Sequence, residues 1–170
     1  MQRKSFDGMQ CPVARSLERV GDWWTILILR DAFRGRTRFD EFQKNLEIAP
    51  NILTSRLAAL VEDGLMERRQ YSEHPPRFEY VLTERGRDFR SVLLAMLAWG
   101  NRHFAPEGKS VILIDGETGR EVDPLLVDPA TGIPVTENRY RTVAGPAADE
   151  RTRRQLAFTE AQAAKEPARV

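Results

Sequence analysis

The 170-residue sequence holds a single cysteine, Cys11. That excludes an internal disulfide and any cysteine-built metal cluster within one chain. Cys11 is left as a buried packing residue, a reactive thiol or a link to a second chain. Histidine is almost as scarce, with only His74 and His103. Neither has a carboxylate set beside it in the pattern that a catalytic triad needs, and no glycine-rich phosphate loop occurs. Catalysis is therefore not expected, and neither is a metal or cofactor. No apolar run approaches the roughly 18 residues of a membrane span. The opening MQRKSFDGMQCPV has two basic residues but no apolar segment behind them, so it does not read as a secretory signal. A cytoplasmic location without a membrane partner is expected. Strong charge of one sign is lacking as well, since the net charge is +1.

What the chain does contain is 41% apolar and 30% charged residues, the balance of a globular protein with a core. Basic residues are clustered. Arg30, Arg34, Arg36 and Arg38 are close in sequence, and Arg68, Arg69 and Arg77 bracket one strand pair. Such clusters serve as phosphate contacts or simply as solvated surface.

Periodicity gives the order of elements. Pro12 suits a first helical turn, and Val13, Leu17 and Val20 repeat at helical spacing. Gly21 ends that helix and Asp22 can cap the next, Trp23–Phe33, which is apolar on most sides and reads as a central helix. Thr37 with Asp40 resembles a capping box for a short helix, Arg38–Leu46. After a connection of about three residues comes Pro50–Asp63. Its apolar face is Leu53, Leu57, Leu60 and Val61. Its opposite face is Asn51, Ser55, Ala58 and Glu62, with Thr54 beside them. Gly64 is a natural stop. LMERRQY and FEYVL read as two antiparallel strands around a protruding SEHPPR loop. Thr83 caps a long helix, about Glu84–Phe104, whose apolar surface is wider than one small domain needs, so a second chain is its expected cover.

Two short helices joined tightly and followed by a strand pair form a winged helix-turn-helix. Polar Asn51, Thr54 and Ser55 in the first turns, with small Ala58 behind them, suit a helix that reads base edges in a major groove.

Several motifs reinforce this: CPV near the start, W-T-I-L-I-L-R-D, R-F-D-E-F, L-T-S-R-L…L…D-G-L…R, P-P-R-F-E-Y and L-T-E-R-G. Over Cys11–Phe104 the chain resembles the HxlR-type transcriptional regulators, relatives of the MarR group. The resemblance implies a homodimer on a pseudo-palindromic operator in double-stranded DNA. It also implies backbone contacts from Arg56 and from the wing around His74–Arg77. Together with the basic clusters, the candidate DNA-binding residues are Arg36, Arg38, Pro50, Asn51, Thr54, Ser55, Arg56, Arg69, His74 and Arg77. The residue opening the recognition helix is often serine in such proteins and is Ala49 here. Cys11 matches an N-terminal cysteine that some members use to sense oxidants, and a helix N-terminus lowers a thiol pKa. Cys11 is thus a candidate redox sensor, and oxidant and small molecule are both candidate effectors. Trp23, Trp24 and Trp99 mark a region that is either core, dimer interface or an effector pocket.

The expected fold class is mainly α with a small antiparallel β-wing, dimeric, plus a small β-rich C-terminal extension. The expected domains are 1–104 for DNA binding and dimerisation, 105–146 for the extension and 147–170 for a polar, partly disordered tail. In the extension, SVILI and LLV are strand candidates. DGETGREV and DPATGIPV repeat D-x-x-T-G-x-x-V with a period of 13. Some longer HxlR-type proteins carry a region resembling a zinc ribbon with C-x-x-C-G knuckles. Asp115, Thr118, Asp128 and Thr131 stand at those positions here, so no structural zinc is expected. The repeat reads either as a ribbon without its metal or as two unrelated turns. The alternative function is a winged-helix protein-interaction module without DNA binding, kept open by Glu62 and Asp63 near the groove-facing side.

Overall fold

The computed structural model describes residues 5–6, 8–135 and 139–163. The chain divides into two compact units, Arg19–Leu125 and the combination of Met1–Glu18 with Leu126–Val170.

The Arg19–Leu125 unit is built on helix packing. Helix α1 (Pro12–Val20) delivers Val20 to the core at its last residue. Asp22 then caps α2 (Trp23–Phe33), accepting from the Trp24 amide at 3.0 Å and the Thr25 amide at 3.4 Å. The expected central helix is the observed one: Ile28 and Leu29 have no exposed surface. Helix α3 (Phe39–Leu46) starts one residue later than its sequence suggested. Its box partner is Glu41, not Asp40. One Glu41 carboxylate oxygen accepts from the Thr37 and Arg38 amides, both at 3.0 Å, and these two bonds hold its carboxyl below the usual carboxylate range. The chain leaves α3 through Glu47 in the left-handed region (φ 51°), buries Ile48 and enters α4 (Pro50–Glu62) at Ala49. Leu53, Leu57 and Leu60 of α4 join Ile28, Leu29 and Phe42 in one apolar cluster.

Strands β1 (Met66–Glu73) and β2 (Pro76–Leu82) form the antiparallel wing. Pairing continues to Glu73↔Pro76, so only His74 and Pro75 remain between the strands, a tighter tip than the six-residue loop expected. Pro76 is tolerated because it opens its strand, where no ladder N–H is required. The register shifts between Gln70 and Ser72, leaving Tyr71 as the extra residue of a bulge. A backbone bridge between Arg38 and Glu79 ties the start of α3 to β2.

The D-G-L and L-T-E-R-G motifs meet at the wing's base. Gly64 turns the chain at φ 68°, and the Thr83 hydroxyl lies 2.6 Å from its carbonyl oxygen. Thr83 also caps the short helix α5 (Glu84–Asp88) through the Gly86 amide. A Cβ on Gly86 would sit 2.0 Å from the Leu65 carbonyl oxygen, which leaves no room for a side chain. The single long helix expected after Thr83 is two helices. Phe89 separates α5 from α6 (Arg90–His103) and packs against the core. Along α6, Val92, Met96 and Trp99 are exposed.

Beyond α6, the candidate SVILI pairs through Leu113–Ile114 (β3), and its partner is Glu121–Val122 (β4), which was not among the strand candidates. Val127 makes an isolated bridge to Pro134, and Leu125 and Leu126 are exposed. The two repeats build the same kind of turn. The Asp115 carboxylate accepts from the Glu117 and Thr118 amides, and that of Asp128 from the Ala130 amide and the Thr131 hydroxyl. Gly119 and Gly132 follow at φ 68° and 69°. In the unit that also holds the Asp128 turn, Asp149 caps α7 (Glu150–Ala163), and its own amide donates to Gln10 Oε1 at 2.7 Å. Among the described residues, no helix is long and apolar enough to cross a membrane.

Candidate nucleic-acid interface

Burying one face of α4 fixes the orientation of the other. Leu53, Leu57 and Leu60 point inward at helical spacing, so Asn51, Thr54, Ser55 and Ala58 are exposed on the opposite side. The Thr54 hydroxyl donates back to the Pro50 carbonyl at 2.8 Å. Pro50 occupies the first turn, where its missing N–H costs no hydrogen bond, and no side chain caps the helix at Ala49. The helix therefore presents an uncapped N-terminus beside short polar side chains, a geometry suited to phosphate and base edges.

The basic residues singled out from sequence divide into two groups. His74 and Arg77 are exposed at the wing tip, and Arg77 has no ion-pair partner among the described residues. The others are held by the protein. Arg36 donates to Asn45 Oδ1 at 2.7 Å and lies 3.9 Å from Asp31. The Arg38 guanidinium stacks 4.7 Å over Tyr71, the bulge residue. Arg69 reaches Glu79 across the wing through Nε and Nη2 at 3.0 and 2.9 Å. Arg56 Nε lies 3.0 Å from Asp22 Oδ1.

Sequence reasoning passed over Asp31. Its side chain is fully buried between α2 and α3. One carboxylate oxygen accepts from Arg30 Nε and Nη2, at 3.0 and 2.9 Å, and the other from Asn45 Nδ2 at 2.5 Å. Its backbone carbonyl accepts from the Arg34 and Arg36 amides. A buried carboxylate so fully engaged locks the turn into α3. The adjacent Arg-Asp pair at the end of an apolar helix was the available signal. Arg68, a member of one basic cluster, stacks its guanidinium 3.4 Å over Phe78, which stiffens the wing.

A helix pair with an exposed second helix, followed by a two-stranded antiparallel wing, is a winged helix-turn-helix. Comparison with known proteins narrows the class. The profile of the HxlR-like helix-turn-helix family matches residues 19–108. An HTH-type transcriptional regulator of Mycobacterium tuberculosis, itself uncharacterised, is 42% identical over 135 residues, 79% of this chain and 85% of its own length. The structure of a candidate transcription factor from Pseudomonas aeruginosa is 55% identical with a TM-score of 0.63, covering 86% of this chain and all of the other. The redox regulator HypR in its oxidised form is 35% identical with a TM-score of 0.51, covering 55% of this chain and 97% of the other. The chain belongs to the HxlR-like helix-turn-helix family of transcriptional regulators.

Proposed function

We propose that the protein acts as a homodimer on a pseudo-palindromic operator, with α4 of each protomer in a major groove and the wing tip against flanking phosphate. The observation that carries this reading is the exposed face of Asn51, Thr54 and Ser55 on a helix whose other face is fully committed to the core. Arg77 and His74 are the phosphate contacts of the wing, and Pro50 brings the uncapped start of α4 toward the backbone. Arg36 and Arg38, each engaged within the protein, contribute positive potential near the DNA, and Arg69 does so only on leaving Glu79 for a phosphate. The exposed Val92, Met96 and Trp99 of α6 supply the dimer contact, because an apolar strip of this kind is ordinarily covered. Two half-sites about one helical turn apart follow from two-fold symmetry. No catalytic role and a cytoplasmic location go with this reading.

Control by oxidation is the effector mode we favour over a small molecule. Cys11 is half-buried immediately before α1, and its carbonyl accepts from the Arg15 amide at 3.0 Å, so it occupies the cap position of that helix. The likeness to HypR supports the same choice. Gel-shift titration against the DNA upstream of the protein's own coding sequence tests DNA binding, and repetition with peroxide-treated wild type and Cys11→Ser tests control. Salt-sensitive, saturable retardation that peroxide alters only in the wild type is expected. Absence of any salt-sensitive complex rejects the operator reading, and identical responses of the two proteins reject the redox reading.

A further inference from the structure

Two ion pairs join the recognition helix to the corner between α1 and α2, and their polarities are opposite. Asp22 of the corner meets Arg56 of α4 at 3.0 Å. Arg19, at the end of α1, meets Asp63, the C-cap of α4, at 3.3 Å. Arg56 and Asp63 are about two helical turns apart on one face of α4, so sliding or rotating the helix would break both pairs together. The Asp22–Arg56 pair is largely screened from water: their side chains are 31% exposed for Arg56 and 21% for Asp22. Arg56 Nε is buried without a well-aligned hydrogen-bond acceptor, so its contact with Asp22 is ionic by distance and not a hydrogen bond by angle. Asp22 has a second duty, because the same Oδ1 caps α2 through the Trp24 and Thr25 amides. The start of the central helix and the middle of the recognition helix therefore share one carboxylate oxygen.

We infer that Arg56 is a positioning residue: with Arg19, Asp22 and Asp63 it forms a charge clamp that sets the angle at which α4 enters the groove, and it does not contact phosphate. This rests on the operator-binding reading above, and it replaces the phosphate role that family resemblance suggests for Arg56. A phosphate contact adds affinity for any sequence and steepens salt dependence. A clamp adds affinity only where the helix must meet particular bases, and its members are coupled to one another.

The test uses the full-length protein, an operator selected from a random duplex library and a scrambled duplex, with fluorescence anisotropy at several salt concentrations. The variants are Asp22→Asn, Arg56→Gln, their combination and Arg19→Gln. Asparagine is as good an N-cap as aspartate, so Asp22→Asn removes the charge while keeping the α2 cap. Each of the first two is expected to weaken operator binding about fivefold, with the double variant no weaker than either single. Scrambled-duplex binding and salt slope are expected to stay near wild type. Arg19→Gln, at a half-exposed pair, is expected to give about a twofold loss of the same kind and keeps the test open if another variant fails to fold. A shallower salt slope for Arg56→Gln, with Asp22→Asn unchanged, overturns the clamp and makes Arg56 a phosphate contact. Additive losses in the double variant overturn it as well. If the wild type selects no operator at all, the operator-binding reading fails first, and that outcome is separate from either result.

Discussion

The winged-helix core and the two Asp-x-x-Thr-Gly turns are held by different physics. In the core, Ile28, Leu29, Phe42, Leu53 and Leu57 have no exposed surface, and contacts between residues distant in sequence define the shape. In the repeats, each turn closes on itself: the Asp115 amide donates to the Arg120 carbonyl and the Asp128 amide to the Ile133 carbonyl, both within a few residues. Ile112, Ile114, Leu125 and Leu126 nearby remain exposed. The core thus needs the whole unit to fold, whereas each turn needs only its own loop.

The contrast is most easily broken in the core. Leu57→Ala removes a fully buried side chain and is expected to cost about 2–5 kcal/mol in denaturant unfolding. Gly86→Ala comes next, at about 1–3 kcal/mol, because the new methyl group must displace the Leu65 carbonyl and with it the base of the wing. A melting temperature equal to wild type would show that the wing base yields freely. Arg77→Ala should leave stability untouched and reduce the salt slope of DNA binding by roughly one, fairly evenly across sequences. An unchanged slope rejects Arg77 as a phosphate contact.

The smallest effect belongs to the turns. Hydrogen bonds from the Thr118 and Glu117 amides hold the Asp115 carboxyl below the usual carboxylate range. Because the folded pKa is the lower one, the stabilisation is complete above the unfolded value and is lost as pH falls through the folded value. The Glu117 and Thr118 amide resonances should therefore shift in acid, below the pH where a free aspartate titrates, before the core melts. Concerted loss of core and turn signals would contradict the independence of the two regions.

How much was legible in the sequence follows the same division. The face of α4 could be read because Leu53, Leu57 and Leu60 repeat at helical spacing, and Gly64 marked its end. Period alone could not show that Phe89 interrupts the following helix, since Phe89 fits an apolar helical stripe as well as a core-facing break. It also could not give partners. Arg36, Arg56 and Arg69 look alike as basic residues, and only tertiary structure shows Arg36 beside Asn45, Arg56 beside Asp22 and Arg69 beside Glu79. The strand pattern in SVILI overstated pairing because little cross-strand burial is available to extend β3.

The central claim is that the exposed face of α4 reads sequence. The most direct measurement compares wild type with the Asn51→Ala, Thr54→Ala, Ser55→Ala triple variant on a selected operator and on a scrambled duplex across a salt series. The expected result is a loss of operator affinity of tenfold or more, on the order of one good base contact, with scrambled-duplex affinity and salt slope unchanged. A triple variant that still discriminates operator from scrambled DNA as well as wild type would contradict the account.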